Sequence, residues 1–270
     1  MQTPEQIEHH YRIEKALAER LRRADRAVRG PLYGQVYDEL LREVPHHPYL
    51  TRRADTDAKR LVAAELLPFL SRFLEPQTVF LEIGAGDCSL SREVAQRVRL
   101  CYALDVSSEI LARDEPKVRA VLSDGCSVPV PAGSITVAYS NQVMEHIHPD
   151  DAIAQLDNIY RALAPGGRYV CVTPSRLNGP HDVSRYFDDV ATGLHLKEYT
   201  FGELAALFRR AGFRRVAPYV RIGRRYLRAP LTLLVLGERA LELLPVRLRR
   251  RTGRVRGIRN LLFMHVAALK

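Results

Sequence analysis

A chain of 270 residues, 46% of them hydrophobic, can bury the core of one large domain and is too apolar to be disordered throughout. Its four cysteines have no Cys-x-x-Cys spacing, so we expect reduced thiols without a disulfide framework, and no metal site. The first residues lack the basic-then-apolar pattern of a signal peptide, and no apolar run approaches the roughly 18 residues of a membrane span. The sequence therefore predicts a cytoplasmic protein.

The net charge of +10 is concentrated in the last quarter of the chain. From Phe208 to Lys270, sixteen arginines and one lysine oppose two glutamates, which gives this segment a net charge of +15 and the preceding residues one of −5. Such a basic segment indicates an anionic partner: phospholipid headgroups, a phosphorylated substrate or nucleic acid. The alternative is an arginine-rich face that is only solvated.

Three helical patterns fill the amino-terminal part of the chain. Apolar residues at helical spacing predict helices from Pro4 to Asp25, from Leu32 to Leu41 and from Asp55 to Leu74. Gly30-Pro31 is expected to break the chain before the second helix.

From residue 78 onward, short apolar runs alternate with helical segments. The runs predict strands at 78–83, 100–104, 118–122, 135–140, 168–172, 215–220 and 261–268. This alternation predicts an α/β fold with a doubly wound, mostly parallel, seven-stranded sheet of the Rossmann-like type. Residues 1–54 would form a helical extension, either a lid or a fixed collar, on a main domain at 55–270. A basic amphipathic insertion is expected at 227–259, before the last strand.

The residues that follow the first three strands are those expected to bind a ligand. Gly84-Ala85-Gly86 lets the backbone turn sharply after the first strand and lets a ligand approach the next helix. Ser89 replaces the third glycine of a dinucleotide-binding loop, which argues against a bound pyrophosphate. Asp105, at the end of the second strand, is suited to accept hydrogen bonds from ribose hydroxyls, and Asp124, after the third strand, from an adenine amine.

In their order and spacing, five segments resemble the class I S-adenosylmethionine (SAM)-dependent methyltransferases. These segments are Val79 to Ser91, Tyr102 to Ile110, Val121 to Ser127, Ser140 to Ile147 and Leu163 to Pro174. The most similar branch is that of small-molecule and sugar methyltransferases with a methyltransferase-11-like domain. The resemblance implies SAM as the cofactor and methyl transfer as the reaction.

Carried over position by position, the resemblance implies a set of cofactor-binding residues. The glycine loop would line the methionine part of SAM, Asp105 would hold the ribose, and the residues after the fourth strand would lie near the sulfonium. The full set is Glu82, Gly84, Ala85, Gly86, Asp105, Val106, Asp124, Gly125, Cys126, Ser140 and Asn141. The family often has a further glycine where this chain has Cys88, so the loop here is expected to be less tight.

Transfer to a hydroxyl benefits from a group that takes the hydroxyl proton. His146, in Glu145-His146-Ile147-His148 after the fourth strand, and His181 are the predicted catalytic residues, with hydrogen-bonded scaffolding as the alternative for each. The segment 173–200 is long, polar and rich in chemistry-bearing side chains, so it is expected to bind the acceptor.

The sequence after the fourth strand, Ser140-Asn141-Gln142-Val143, lacks the (Asp/Asn)-Pro-Pro-aromatic element by which base amino-methyltransferases stack a flipped base. We therefore expect O-methylation of a small molecule, a saccharide or a lipid-linked glycan, with an RNA methyltransferase as the alternative. A helix from Pro230 to Leu244, followed by clustered arginines, would contact an anionic membrane at its inner face or pack on the domain.

Two other classes share this pattern. A dehydrogenase of the same topology would have glycine at Ser89 and would not account for Asp124. A non-catalytic SAM-binding protein, acting as a regulator or scaffold, would have the same acidic residues as an enzyme.

Overall fold

The computed structural model describes the backbone of residues 2–270, and the side chains of that range other than those at 52–54, 56–60, 62–63, 254, 256 and 260–261. The helices are α1 Pro4–Arg23, α2 Arg26–Glu43, α3 Pro48–Ala54, α4 Thr56–Leu70, α5 Ser89–Ala95, α6 Pro149–Ala162, α7 Phe201–Arg210, α8 Leu231–Glu242, α9 Val246–Arg254 and α10 Arg256–Leu262. The strands are β1 Val79–Ile83, β2 Leu100–Asp105, β3 Val118–Leu122, β4 Ile135–Asn141, β5 Leu163–Pro174, β6 Arg215–Ile222, β7 Arg225–Arg228 and β8 Phe263–Leu269.

The strands form one doubly wound sheet in the order β3-β2-β1-β4-β5-β8-β6-β7. The first five strands of that order run parallel, and β8 is antiparallel to both β5 and β6. The α/β class is therefore confirmed, but in the described residues the sheet has eight strands instead of the expected seven. The additional strand is β7, which pairs with β6 through the turn at Gly223 (φ +62°). Its four residues, only one of them buried, are too short and basic to give a strand pattern.

Two apolar layers cover the faces of the sheet. Strand β1 is buried at all five positions, as expected of a central parallel strand that is covered on both faces. On one face Leu81 and Ile83 pack with α1, α2, α6 and α7, and on the other Phe80 packs with α4 and α5. The amino-terminal helices therefore complete the core on the first face.

The predicted break at Gly30-Pro31 is wrong. Helix α2 begins at Arg26 and continues through Pro31, and the chain leaves α1 at Ala24 and Asp25 instead. A proline in the second turn forfeits one backbone hydrogen bond, but α2 buries Arg29, Tyr33, Val36, Leu40 and Leu41. Tertiary packing outweighs the local cost.

The carboxyl-terminal insertion is helical, as the sequence predicts. It contains α8, α9 and α10, which lie between β7 and β8. Within the described residues, none of the helices is both long and apolar enough to cross a membrane.

Candidate functional site

The glycine loop lies at the point where the strand order reverses between β1 and β4. Gly84 and Gly86 have positive φ values of +74° and +53°, which glycine adopts without the clash of a Cβ. The Ala85 N–H donates to the Leu104 carbonyl at 2.8 Å, and the Gly86 N–H donates to Asp105 Oδ2 at 2.7 Å. The loop is therefore fixed to the end of β2, in the crevice where this fold binds ligands.

Asp105 ends β2 with both carboxylate oxygens engaged by the backbone. Oδ2 accepts from Gly86, and Oδ1 accepts from the Ser107 N–H at 3.0 Å. Burial raises the pKa of Asp105, against the effect of these two amides. Since each carboxylate oxygen has two lone pairs, Asp105 can still accept hydrogen bonds from a ligand's hydroxyl groups.

Cys88 occupies a position whose backbone is left-handed, with φ +60° and ψ 19°. Glycine adopts this conformation freely, which explains why the family that the sequence resembles often has glycine there. For a residue with a side chain, this backbone conformation costs about 1–2 kcal/mol. The Cys88 side chain is fully buried among Ala85, Leu90 and Val94. Its apolar packing offsets the backbone cost, and the loop keeps its turn.

Glu82 is buried beneath the glycine loop and is held by α5. Its Oε2 accepts from the Ser91 hydroxyl at 2.6 Å. Burial raises the pKa of Glu82 to about 8, and the nearby Asp105 and Asp87 add to that shift. In the protein without ligand, Glu82 therefore supports the loop as a largely protonated acid at neutral pH.

We expect Glu82→Gln to flatten the dependence of stability on pH. Between the unfolded pKa of about 4.3 and the folded pKa of about 8, folded Glu82 keeps a proton that the unfolded chain releases. Stability from this group therefore falls as pH rises through that window, and glutamine removes the fall. Urea unfolding at pH 5.5 and pH 8 measures the free energy of unfolding of both proteins, with Glu43→Gln at an exposed position as the control. If the difference in the free energy of unfolding between the wild type and Glu82→Gln is the same at both pH values, the raised pKa assigned to Glu82 is contradicted.

The segment after β3 forms a tight turn around Asp124. Its Oδ1 accepts from the N–H groups of Cys126 and Ser127 at 3.0 and 2.6 Å. Partial burial opposes ionisation of Asp124, but these amides outweigh it and lower its pKa. Gly125 is buried with φ +83°, and its carbonyl accepts from Gln155 Nε2. The turn thus presents an exposed carboxylate beside rigid backbone.

The two predicted residues at the end of β4 differ in their environment. The Ser140 hydroxyl is fully buried and hydrogen-bonds the Tyr169 hydroxyl at 2.6 Å, which ties it to β5. Asn141 Oδ1 is buried without a hydrogen-bond partner among the described residues. Because a buried amide oxygen without a partner is costly, Asn141 fits a ligand that brings positive charge or a donor to this point.

Helix α2 lies directly against residues that follow β2 and β3, where the amino-terminal extension is expected to form a lid or a fixed collar. A Cβ on Gly34 would be 2.5 Å from the Val106 carbonyl oxygen, and one on Gly30 would be 3.3 Å from the Asp124 side chain. Tyr33 covers Gly125 in the same way, because a Cβ on Gly125 would lie 2.9 Å from the Tyr33 ring. The signal was a Gly-x-x-x-Gly pair, which puts two small residues on one helix face.

We expect Gly34→Ala to distinguish a lid from a fixed collar. The new methyl group would meet backbone at 2.5 Å, so α2 must shift, at a cost of about 1–3 kcal/mol. If α2 is a lid over the cofactor, the dissociation constant for SAM rises together with this loss of stability. Calorimetric titration and thermal unfolding measure both, with Gly237→Ala on α8, where the Cβ meets nothing within 4 Å, as control. Lost stability with unchanged SAM affinity would identify a collar.

A buried polar cluster lies next to the fourth-strand exit. His146 Nδ1 bonds the Leu194 carbonyl at 3.0 Å, and its ring packs edge-on against Tyr37 of α2 and His195 of the 173–200 segment. His195 Nδ1 bonds Glu198 Oε1 at 2.7 Å. Burial lowers the pKa of His146 to about 3. Burial also acts to lower the pKa of His195, but the hydrogen bond and negative charge of Glu198 outweigh it, so the pKa of His195 is raised to about 9.

His181 lies in a second set of contacts within the 173–200 segment. Its ring Nε2 is within hydrogen-bonding distance of the Ser175 carbonyl (3.0 Å) and of Asn178 Oδ1 (3.1 Å), and its backbone N–H donates to Glu198 Oε1. Burial lowers the pKa of His181. Both predicted histidines are thus tied to the same segment, His181 through its ring and His146 through Leu194.

The 173–200 segment and α1 together form one wall of this region. Arg22 donates to the Thr192 and Gly193 carbonyls at 2.8 and 2.9 Å, and the Leu194 N–H donates to Glu14 Oε1 at 2.9 Å. Tyr11 stacks on Phe187 with ring centroids 4.2 Å apart. These contacts fix the 173–200 segment to α1.

Comparison with known families gives one extended match. The family model described as a methyltransferase domain matches residues 54–217, a range that contains all of the predicted cofactor-binding residues. An uncharacterised methyltransferase of Mycobacterium tuberculosis (strain H37Rv) is 27% identical over 107 residues, which cover 37% of this chain and 53% of that protein. The chain therefore spans about half the length of the curated relatives it matches.

Solved structures share the fold at low identity. A Haemonchus contortus phosphoethanolamine N-methyltransferase 2, in complex with phosphomonomethylethanolamine and S-adenosylhomocysteine, is 19% identical with a TM-score of 0.52, over 76% of this chain and 52% of that one. The same enzyme with SAM gives 18% identity and a TM-score of 0.51, over 76% and 51%. The complex of the Haloferax volcanii Trm112 methyltransferase activator with a protein described as a methyltransferase matches with 17% identity and a TM-score of 0.56, over 79% of this chain and 94% of that one. At these identities the likeness concerns the fold.

Proposed function

We propose that this chain, which belongs to the methyltransferase-domain family, transfers the methyl group of SAM to a hydroxyl of a small-molecule or glycan acceptor. SAM is the proposed cofactor, and structures of the same fold that were solved with SAM or S-adenosylhomocysteine support this proposal. When bound, SAM supplies an electrophilic methyl group on a sulfonium. The chain's own task is to position donor and acceptor in line and to exclude water.

The observation that supports a hydroxyl acceptor is the buried polar cluster beside the cofactor loops. Tyr37 joins the two regions, because it contacts His146 and its own pKa is raised by burial and by the charges of Glu14, Glu145 and Asp105. An amine needs little beyond desolvation, whereas a hydroxyl benefits from a group that draws away its proton. The cluster provides such a group in Glu145, whose pKa burial raises to about 7 and which lies beside His146, near the place where we propose that the acceptor binds.

We propose that His146 acts on the acceptor, and we keep His181 as the second candidate. The His181 ring is engaged by Ser175 and Asn178, while the only hydrogen bond of the His146 ring among the described residues is the one from Nδ1 to Leu194. Its other ring nitrogen is thus available to a ligand.

A methylation assay tests the proposal. Purified protein with radiolabelled SAM would be offered hydroxyl-bearing sugar derivatives, primary amines such as phosphoethanolamine, and RNA. We expect labelled product and S-adenosylhomocysteine with hydroxyl acceptors, and a larger loss of kcat from His146→Ala than from His181→Ala. Turnover with amines or RNA alone would contradict the hydroxyl assignment, and SAM binding without turnover on any acceptor would favour a regulatory protein.

We also propose a peripheral contact with an anionic membrane through the carboxyl-terminal insertion. Leu233, Leu236 and Leu243 are 64%, 59% and 87% exposed, and Arg247 and Arg251 on α9 are exposed. Arg250, by contrast, donates to the Gly179 carbonyl and to Asp189, so it anchors α9 on the 173–200 segment. An apolar surface beside exposed cations suits headgroups that carry negative charge.

Sedimentation with vesicles tests that contact. We expect the protein to bind phosphatidylglycerol vesicles more tightly than phosphatidylcholine vesicles, and Leu236→Glu with Leu243→Glu to weaken the binding. Equal recovery with both kinds of vesicle, or no binding, would contradict the proposal.

A further inference from the structure

Glu145, His146 and His195 form a group of possible metal ligands that the sequence did not indicate. Each contributes one ligand atom, and these atoms all lie within 4.8 Å of one another. Glu145 and His195 are buried, and His146 is partly so. A metal–ligand bond of about 2.1 Å places donor atoms roughly 3.4 Å apart, so side-chain shifts of about one ångström would complete the site.

The hydrogen bonds around the two histidines orient them as metal ligands. The Leu194 carbonyl can only accept, so His146 Nδ1 must donate to it, and the Glu198 carboxylate holds Nδ1 of His195 in the same way. Among the described residues, no hydrogen bond engages Nε2 of either ring. Metal-binding histidines are characteristically held by one ring nitrogen through a carbonyl or carboxylate, which leaves the other nitrogen for the ion.

Glu145 has an oxygen without a partner. Its Oε2 accepts from the Thr173 hydroxyl at 2.9 Å, but Oε1 is buried and makes no hydrogen bond within the described part of the chain. Glu145 itself is fully buried. A buried carboxylate oxygen with no donor is costly, and a cation is the partner that its chemistry favours.

A neighbouring group, His10, Glu14 and His47, is a poorer site. His47 Nδ1 accepts from the Tyr49 N–H at 3.2 Å, so this ring nitrogen is already engaged. His10 Nε2 is 2.8 Å from Glu14 Oε2, and Glu14 Oε1 already accepts from Leu194. His10 Nδ1 has no partner among the described residues, but both Glu14 oxygens and His47 Nδ1 are already engaged, so this group offers fewer available ligand atoms than the first.

We infer that Glu145, His146 and His195 bind one divalent transition-metal ion, such as Zn²⁺ or Mn²⁺, next to the cofactor pocket. Two imidazoles and one carboxylate are a ligand set for such ions, and they leave coordination positions open. The inference departs from the expectation that the chain has no metal site. It rests on the proposed function in one respect: the open position would receive the acceptor hydroxyl and lower its pKa, so His146 would act as a metal ligand.

Direct measurement of metal binding tests the inference. Metal-free full-length protein would be titrated with Co²⁺, followed by its visible absorption, and with Zn²⁺ in competition. We expect one ion per chain, and a loss of affinity of about 100-fold or more in Glu145→Gln and His195→Gln. His47→Gln is the matched control and should bind the ion as the wild type does.

Three results would overturn the inference: no ion bound by the wild type, binding unchanged in both Glu145→Gln and His195→Gln, or binding lost only in His47→Gln. Thermal unfolding and SAM titration of each metal-free variant verify that it folds. Failure of the proposed function would be seen separately, as metal binding without methylation of hydroxyl acceptors. Failure of the metal site alone would be seen as methylation that persists in chelator without bound ion.

Discussion

Replacing Asp105 by Asn should weaken SAM binding by about 2–3 kcal/mol, or roughly 30- to 150-fold in the dissociation constant. The two side chains have the same shape, but both carboxylate oxygens of Asp105 accept from backbone amides, one from Gly86 and one from Ser107. An amide must turn its NH₂ group towards one of those N–H donors, so one hydrogen bond of the glycine loop is lost. The negative charge that favours ribose hydroxyls is lost as well.

Calorimetric titration of the variant with SAM measures this effect. The exposed Asp157→Asn on α6 has the same change of charge without contact to the loop, and it should bind SAM as the wild type does. Unaltered affinity in Asp105→Asn would show that the carboxylate neither shapes the loop nor contacts the cofactor.

Replacing Arg29 by Met should destabilise the fold by about 3–5 kcal/mol. Arg29 is 3% exposed; its Nε donates to Asp151 Oδ2 at 2.7 Å, and its Nη1 donates to the Ala24 carbonyl at 2.7 Å. Tyr33 donates to the same Asp151 oxygen at 2.9 Å, and the His148 N–H donates to Tyr33. Without Arg29, the Asp151 carboxylate remains buried with one strong donor fewer, and the link between α2 and α6 is broken.

Thermal unfolding would register this loss as a fall in Tm of about 10 °C. Arg20→Met breaks the exposed pair with Glu39, whose side chains are 44% and 39% accessible, and should cost about 1 kcal/mol or less. In the double variant Arg29→Met with Asp151→Leu, no charge stays buried, so part of the stability should return. Equal effects of Arg29→Met and Arg20→Met would contradict a buried, energetically important pair.

The central sheet and the glycine loop could be predicted from the sequence because their determinants are local. The run Val79–Ile83 is apolar at the length of a buried strand, and Gly84 and Gly86 follow it where positive φ is required. Strand β7 could not be foreseen, since its pairing depends on the turn at Gly223 and on β6. The additional strand extends the edge of the sheet farthest from β3.

The course of α2 shows how tertiary contacts override a local signal. Gly30-Pro31 favours a break, yet Gly30 and Gly34 are small because α2 lies against Asp124 and Val106. The same residues that weaken the helix in isolation permit its close approach to the cofactor loops. Cys88 is a similar case, in which burial offsets a left-handed backbone.

The polar cluster could be predicted only in part. His146 stands out because it follows the fourth strand, but its association with His195 depends on how the 173–200 segment folds back. That return is made by the contacts of Leu194 with Glu14 and His146, and by the Lys197 N–H, which donates to the Glu145 carbonyl. Such long-range pairings have no periodic pattern in the sequence.

Calorimetric titration of the wild-type chain with SAM and with S-adenosylhomocysteine is the most direct test that this protein is a SAM-dependent methyltransferase. We predict saturable binding of one molecule of either ligand per chain, in the micromolar range, with heat that disappears in Asp105→Asn. A folded wild-type chain that binds neither ligand, with or without candidate acceptors, would contradict the assignment of SAM as its cofactor.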